Sequence, residues 1–192
     1  MRVSFPLSSY LGKMGIAFLV SGALSVGVLS YAYDTKLRPS KQETFSLFVA
    51  SSFQEGKEGE AYSALKGALS PKILQFDLYV YAPSEQNFAE SYRYRVPSSD
   101  VIILPESELG DDLSLFADLP SSFTGRSLYE GKGVLVHEKG KESYPGDAYF
   151  SYGEESYYAF ANVNGLHISS INPKRGDDET IHFLQFLGGI PS

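Results

Sequence analysis

The chain has 192 residues and contains no cysteine, no tryptophan, two methionines and three histidines. Without cysteine there is no disulfide framework, no thiol nucleophile, no thiolate-ligated zinc and no acceptor for a lipoprotein-type anchor. Positive charge is scarce as well: 16 Lys and Arg stand against 23 Asp and Glu, a net charge of −7. The first 33 residues hold only Arg2 and Lys13, so the body beyond them sets 14 basic residues against 23 acidic ones and carries −9. Such a body disfavours sequence-independent binding to nucleic acid, which rests on phosphate neutralisation by Lys and Arg.

Several chemistries leave no motif. There is no Walker loop, no Rossmann glycine fingerprint, no Gly-x-Ser-x-Gly elbow and no His-Glu-x-x-His pair. No Asp-x-Asp-x-Asp-Gly calcium loop occurs, and His137, His167 and His182 lack the close spacing that metal sites favour. His137 falls in an expected strand and His182 in an expected helix, where an exposed or hydrogen-bonded structural histidine is the expectation. The acid pairs Glu106 and Glu108, Asp111 and Asp112, Glu154 and Glu155, and Asp177 and Asp178 do not define a glycosidase without a known separation. Helix starts account for Asp111-Asp112 and Asp177-Asp178 through the macrodipole. The expectation is a chain that is not an enzyme and uses no cofactor.

At 43% hydrophobic and 14% aromatic residues, the composition is that of an ordinary globular protein. Met14 to Tyr33 (MGIAFLVSGALSVGVLSYAY) runs twenty residues without a charge, long enough to cross a hydrocarbon core of about 30 Å as a helix. Its small residues suit close packing in lipid. The rival is a cleaved signal peptide, with Arg2 and Lys13 as the basic region and Ser30-Tyr31-Ala32 as the small-x-small site. Either segment exports the remainder of the chain. The expected organisation is a cytoplasmic amino terminus over residues 1–13, a transmembrane helix or signal anchor over 14–33, a polar linker over 34–43 broken by Pro39, and an extracytoplasmic domain over 44–192.

The body alternates strands and helices. Thr44 to Phe53 is a strand-length apolar run, Glu58 to Leu69 places Ala61, Leu65, Ala68 and Leu69 on one helical face, and Ile73 to Tyr81 alternates apolar with polar residues. Ser84 is placed to cap a helix through about Tyr94, Asp100 to Leu104 suits a strand buried on both faces, and Asp111 or Asp112 opens a helix through Leu119. Beyond Pro120 the pattern turns β-rich, with strands at 133–138, 148–152 and 157–163, and closes on a helix over 177–187. The fold class expected is α/β, with helices on both faces of a sheet and a β-rich carboxyl-terminal part.

This order, ending on Asp100-Val-Ile-Ile-Leu104 before Pro105-Glu106-Ser107, resembles the first lobe of the type 2 extracellular solute-binding proteins of ABC importers. The Asp-led apolar run matches the family's third strand. Tyr129-Glu130-Gly131-Lys132-Gly133-Val134 is similar to its "DGKxYGxP" crossing segment, departing at Glu130 and at the missing Tyr and Pro, and Tyr157-Tyr158-Ala-Phe-Ala-Asn162 resembles its "YYN" strand. The similarity covers about residues 44–162. Members carry two lobes, and this chain has room for one. The resemblance implies a three-layer αβα lobe of periplasmic-binding-protein type, a small solute such as a sugar, and an ABC transporter permease or sensor protein as partner at the membrane.

In open α/β sheets, ligands bind beyond the carboxyl ends of the parallel strands. Those ends give Ser51 and Ser52, Ser84 and Glu85, and Glu106 and Ser107 as candidate ligand-binding residues, groups that hydrogen-bond a polyol or attract a cation and suit an anion poorly. Tyr79, Tyr81, Tyr92 and Tyr94 fit either an aromatic wall for a sugar or a half-exposed strand. Tyr157 and Tyr158 resemble the paired tyrosinates of ferric-binding members, but strand neighbours face opposite sides. A second reading stays open: a structural or interaction protein that binds a partner, or forms a homodimer, through the face where a second lobe would sit.

Overall fold

Phe45, Leu47 and Val49 alternate with Ser46 and Phe48 along β1 (Thr44–Val49), and residues 45 to 49 are all buried. A strand with both faces apolar needs cover on both sides. The computed structural model describes residues 21, 22, 24–26, 28, 30, 38–121, 123, 128–141, 143–168 and 178–190. The chain divides into two units, residues 1–40 and 41–192. The described residues between 21 and 30 are helical, and most of the expected span over 14–33 lies outside the described residues. Among the described residues, no helix is long and apolar enough to cross a membrane.

In the second unit the strands are β1, β2 (Ser52–Phe53), β3 (Gln75–Val80), β4 (Val101–Pro105), β5 (Leu128–Tyr129), β6 (Gly133–His137), β7 (Phe150–Ser151) and β8 (Tyr157–Ala161). The helices are α1 (Glu58–Gly67), α2 (Phe88–Arg95) and α3 (Glu179–Leu187). Six strands form one mixed sheet in the order β3-β1-β4-β8-β6-β5. β1 is parallel to β3 and β4, while β8 runs antiparallel to both β4 and β6. The small β2-β7 ladder pairs Ser52 with Ser151.

Side-chain alternation divides the core. Phe45, Leu47, Val49, Val101 and Ile103 pack with Leu65 and Leu69 at α1 and with Phe183, Leu184 and Leu187 of α3. On the opposite face Phe48, Ile102, Leu104 and Phe160 pack with Phe88 of α2, Val96, Leu113 and Phe116. The α/β architecture with helices on both faces is therefore present, and its β-rich half consists of β5 to β8.

Three local expectations need correction. The helix expected from Asp111 or Asp112 to Leu119 does not form. Asp112 Oδ1 instead accepts the Ser114 N–H at 2.9 Å, and backbone groups of 115–119 are spent on other segments: Ala117 N–H on the Ala161 carbonyl, the Leu115 carbonyl on Val163 N–H, and Leu119 N–H on the Gly131 carbonyl. Long-range pairing here outcompetes the i to i−4 ladder, so Asp111-Asp112 marks a turn. The run over 44–53 is two strands, because Ser51 turns its hydroxyl to the Ser151 carbonyl at 2.8 Å. Ser84 lies in a turn and caps nothing: α2 starts at Phe88, with Asn87 in the cap position. Asp177 lies outside the described residues.

Gly133 of β6 makes room for its cross-strand neighbour Phe160. A Cβ at that position would lie 2.5 Å from Phe160 Cε1, and Phe160 in turn stacks on Phe116 at 4.3 Å between ring centroids. Gly133→Val is expected to destabilise the unit by about 1–3 kcal/mol through overpacking. A thermal melt checks this, and an unchanged midpoint would refute the close approach.

Candidate functional site

Beyond residue 50 the carboxyl ends of the parallel strands become crowded with loops from the antiparallel half. The connection after β1 leads to α1 on one face, whereas the segment after β4 packs Leu109, Leu113 and Phe116 on the other. Adjacent parallel strands whose connections part in this way create a crevice at their carboxyl ends. The β2-β7 ladder and the loops flanking β7 wall that end.

One irregularity aims the central side chain. The β6-β8 register shifts between Leu135 and His137, so that His137 stands opposite Tyr157 and Val136 is the additional residue. A bulge of this kind re-aims the residue that follows it. The His137 ring lies against Tyr152 with centroids 4.7 Å apart and meets Tyr157 edge-on at 5.9 Å. Its Nδ1 is 2.7 Å from Asp147 Oδ1. A carboxylate accepts only, so Nδ1 carries the proton and Nε2 is left for other partners.

Asp147 organises the surrounding loop. Its Oδ2 accepts the N–H groups of Ser143 and Tyr144, both at 2.9 Å, and its backbone carbonyl accepts from Gln54 Nε2 at 2.7 Å. The loop so held turns at Gly140, with φ of +74°, and presents Lys139 and Lys141. With His137, Tyr152, Gly153 and Glu154 these residues line an open groove of about 570 Å³. Lys139 pairs with Glu154 at 3.2 Å and Lys141 with Glu138 at 2.8 Å, which raises the Lys141 pKa above its ordinary value. Tyr152 exposes part of its ring but buries its hydroxyl, which has no hydrogen-bond partner among the described residues. Burial, with the nearby Asp147 charge as a smaller contribution, pushes this phenol far up and keeps it neutral.

Family models, curated proteins and solved structures return no match to this chain.

The sequence-derived candidates gather at the same sheet end, but several of their polar groups are already engaged. Ser51 is buried and bonded to Ser151, one residue before Tyr152. Ser52 is exposed in β2. Ser84 and Glu85 are exposed after β3, with Glu85 Oε1 accepting the Ala82 N–H at 3.0 Å. Ser107 donates its N–H and hydroxyl to Glu155 at 2.8 and 2.9 Å, while Glu106 is exposed and its N–H bonds the Ser156 carbonyl. Tyr157 accepts the Gly153 N–H at 3.0 Å, and Tyr158 sits against Tyr129 on the opposite sheet face. Among the described residues no group of three His, Asp or Glu is assembled that could hold a metal.

Sequence reasoning passed over His137 with Asp147, and Lys139 and Lys141 with Glu154. The available signal was a strand ending in His, a glycine turn three residues on and an acid ten residues on. Only a bulge makes that pattern converge, and a bulge leaves no mark in the pattern itself.

Proposed function

We propose that the second unit is a solute-binding module that holds a small polar solute, such as a sugar, in the groove around His137. The observation carrying this reading is the groove beside the carboxyl end of β6: it is lined by residues of the antiparallel half and opens at the same end of the sheet as the carboxyl ends of β1 and β4, the end where such folds take their ligands. Its volume falls within the roughly 300–1,000 Å³ typical of small-molecule sites. Its lining mixes donors on Lys139 and Lys141 with acceptors on Glu154 and the imidazole, as a polyhydroxylated solute requires. The resemblance to the first lobe of type 2 solute-binding proteins supports the same reading. It adds attachment to the membrane through residues 14–33 and service to an ABC-type importer or a sensor.

The test is a thermal-shift scan of the full chain against sugars, oligosaccharides, amino acids and peptides. A ligand at 100 times its Kd adds about 2.7 kcal/mol, a rise of roughly 5–10 °C in a unit of this size. His137→Ala and Glu154→Gln are each expected to weaken the responding ligand about tenfold or more. No shift with any class, or a shift untouched by both variants, would overturn the assignment to this groove.

A further inference from the structure

The two edges of the sheet are built differently. β5 spans only Leu128–Tyr129, whereas β3 pairs with β1 without a break from Gln75 to Val80 and, among the described residues, has no strand on its other side. Free edges are ordinarily blunted by charged side chains, proline, a bulge or shortness. β3 reads QFDLYV, with no proline or bulge, and Asp77 is its one charge. Four large hydrophobic residues are exposed among the described residues of the second unit: Tyr62, Leu74, Tyr94 and Leu128. Three of them border β3: Leu74 precedes it, Tyr62 packs on Phe76 at 5.5 Å, and Tyr94 precedes Arg95, whose guanidinium lies 4.5 Å from the Tyr79 ring centre.

We propose that β3 is the seam of a homodimer, in which two copies join their sheets edge to edge, antiparallel, across a two-fold axis. The backbone restricts the register. Tyr81 N–H bonds the Val49 carbonyl, so by strand alternation Tyr79 and Asp77 also turn their backbone groups to β1, while Phe76, Leu78 and Val80 turn theirs outward. Outward residues must oppose outward residues. One such register sets Leu78 against Leu78 of the second copy; shifting it by one step toward the amino terminus sets Asp77 against Asp77, which like charge disfavours.

The register centred on Leu78 is complementary. Phe76 then faces Val80, and Asp77 faces the Tyr79 of the second copy, over which that copy's Arg95 lies. Each dimer gains two symmetry-related Asp77-Arg95 pairs. On the other face Tyr62 packs on Phe76, which this register sets opposite Val80 of the second copy, so apolar side chains meet there as well. This seam lies along a strand edge and is independent of the groove at the strand ends.

Because the chain has no cysteine, single thiols report the seam directly. Directly opposed residues of a hydrogen-bonded antiparallel pair have Cα atoms about 5.5 Å apart, within disulfide reach. In the full chain, purified in mild detergent, Leu78→Cys is expected to form a disulfide-linked dimer on mild oxidation. Val80→Cys, whose twin is about 14 Å away along the strands, is not. Sedimentation should show Asp77→Arg and Arg95→Asp each weakening the dimer about tenfold, and their combination restoring it. A chain that stays monomeric to about 100 µM overturns the proposal. So does a dimer that ignores Asp77→Arg and that Leu78→Cys fails to cross-link.

Discussion

Asp100→Ala lowers the stability of the second unit by about 3–4 kcal/mol, the largest loss expected from a single polar side chain here. Asp100 is 4% exposed and stands immediately before β4. Its Oδ2 accepts the Ser46 N–H at 2.8 Å and the Ser46 hydroxyl at 2.9 Å, and its Oδ1 accepts the Leu166 N–H at 2.9 Å. One carboxylate thus ties β1 and β4 to the chain leaving β8, where Asn162 donates to the Val96 and Ser99 carbonyls at 3.0 and 2.8 Å. Alanine leaves the Ser46 and Leu166 N–H groups without their acceptor, while the Ser46 hydroxyl keeps the Ser98 carbonyl at 3.3 Å, and hydrogen bonds to charged groups contribute about 1.5–3 kcal/mol each before relaxation. The melting midpoint is expected to fall by roughly 8–15 °C. A fall under about 3 °C would mean that the carboxylate is dispensable to the strand junction.

Asp147→Ala has the second largest effect, and it separates stability from binding. The side chain is almost fully buried and serves the His137 ring and two backbone N–H groups at once, so its loss is expected to cost about 2–3 kcal/mol. Under the solute-binding reading it also frees the loop carrying Lys139 and Lys141 and unsets the imidazole. Affinity then falls more than in His137→Ala, which leaves that loop anchored through Ser143 and Tyr144. Melting curves and solute titrations on both variants check the pair. Equal affinity losses, or a greater loss in His137→Ala, would show that the loop does not depend on Asp147.

The strand and helix cores were legible because burial imposes period on sequence. Phe45, Leu47 and Val49 announce one covered face and Phe48 the other, and Ala61 and Leu65 mark the buried side of α1. The helix expected over 112–119 failed because Leu113, Phe116 and Leu119 have helical spacing, yet their backbone partners belong to segments distant in sequence. The candidate residues Ser51 and Ser107 do stand just past the carboxyl ends of β1 and β4, but nothing in their own neighbourhood foretold Ser151 and Glu155 as their partners.

By itself the sequence determined the alternation of strands and helices, the acidic body and the absence of thiol chemistry. Each comes from local composition or from a periodicity that burial enforces. Tertiary structure alone decided that β6 bulges to turn His137 onto Asp147, that Gly133 yields to Phe160, and that β3 and not β4 is left at the edge of the sheet. Those outcomes depend on which distant backbone groups satisfy one another, a competition among long-range hydrogen bonds that no window of neighbouring residues contains.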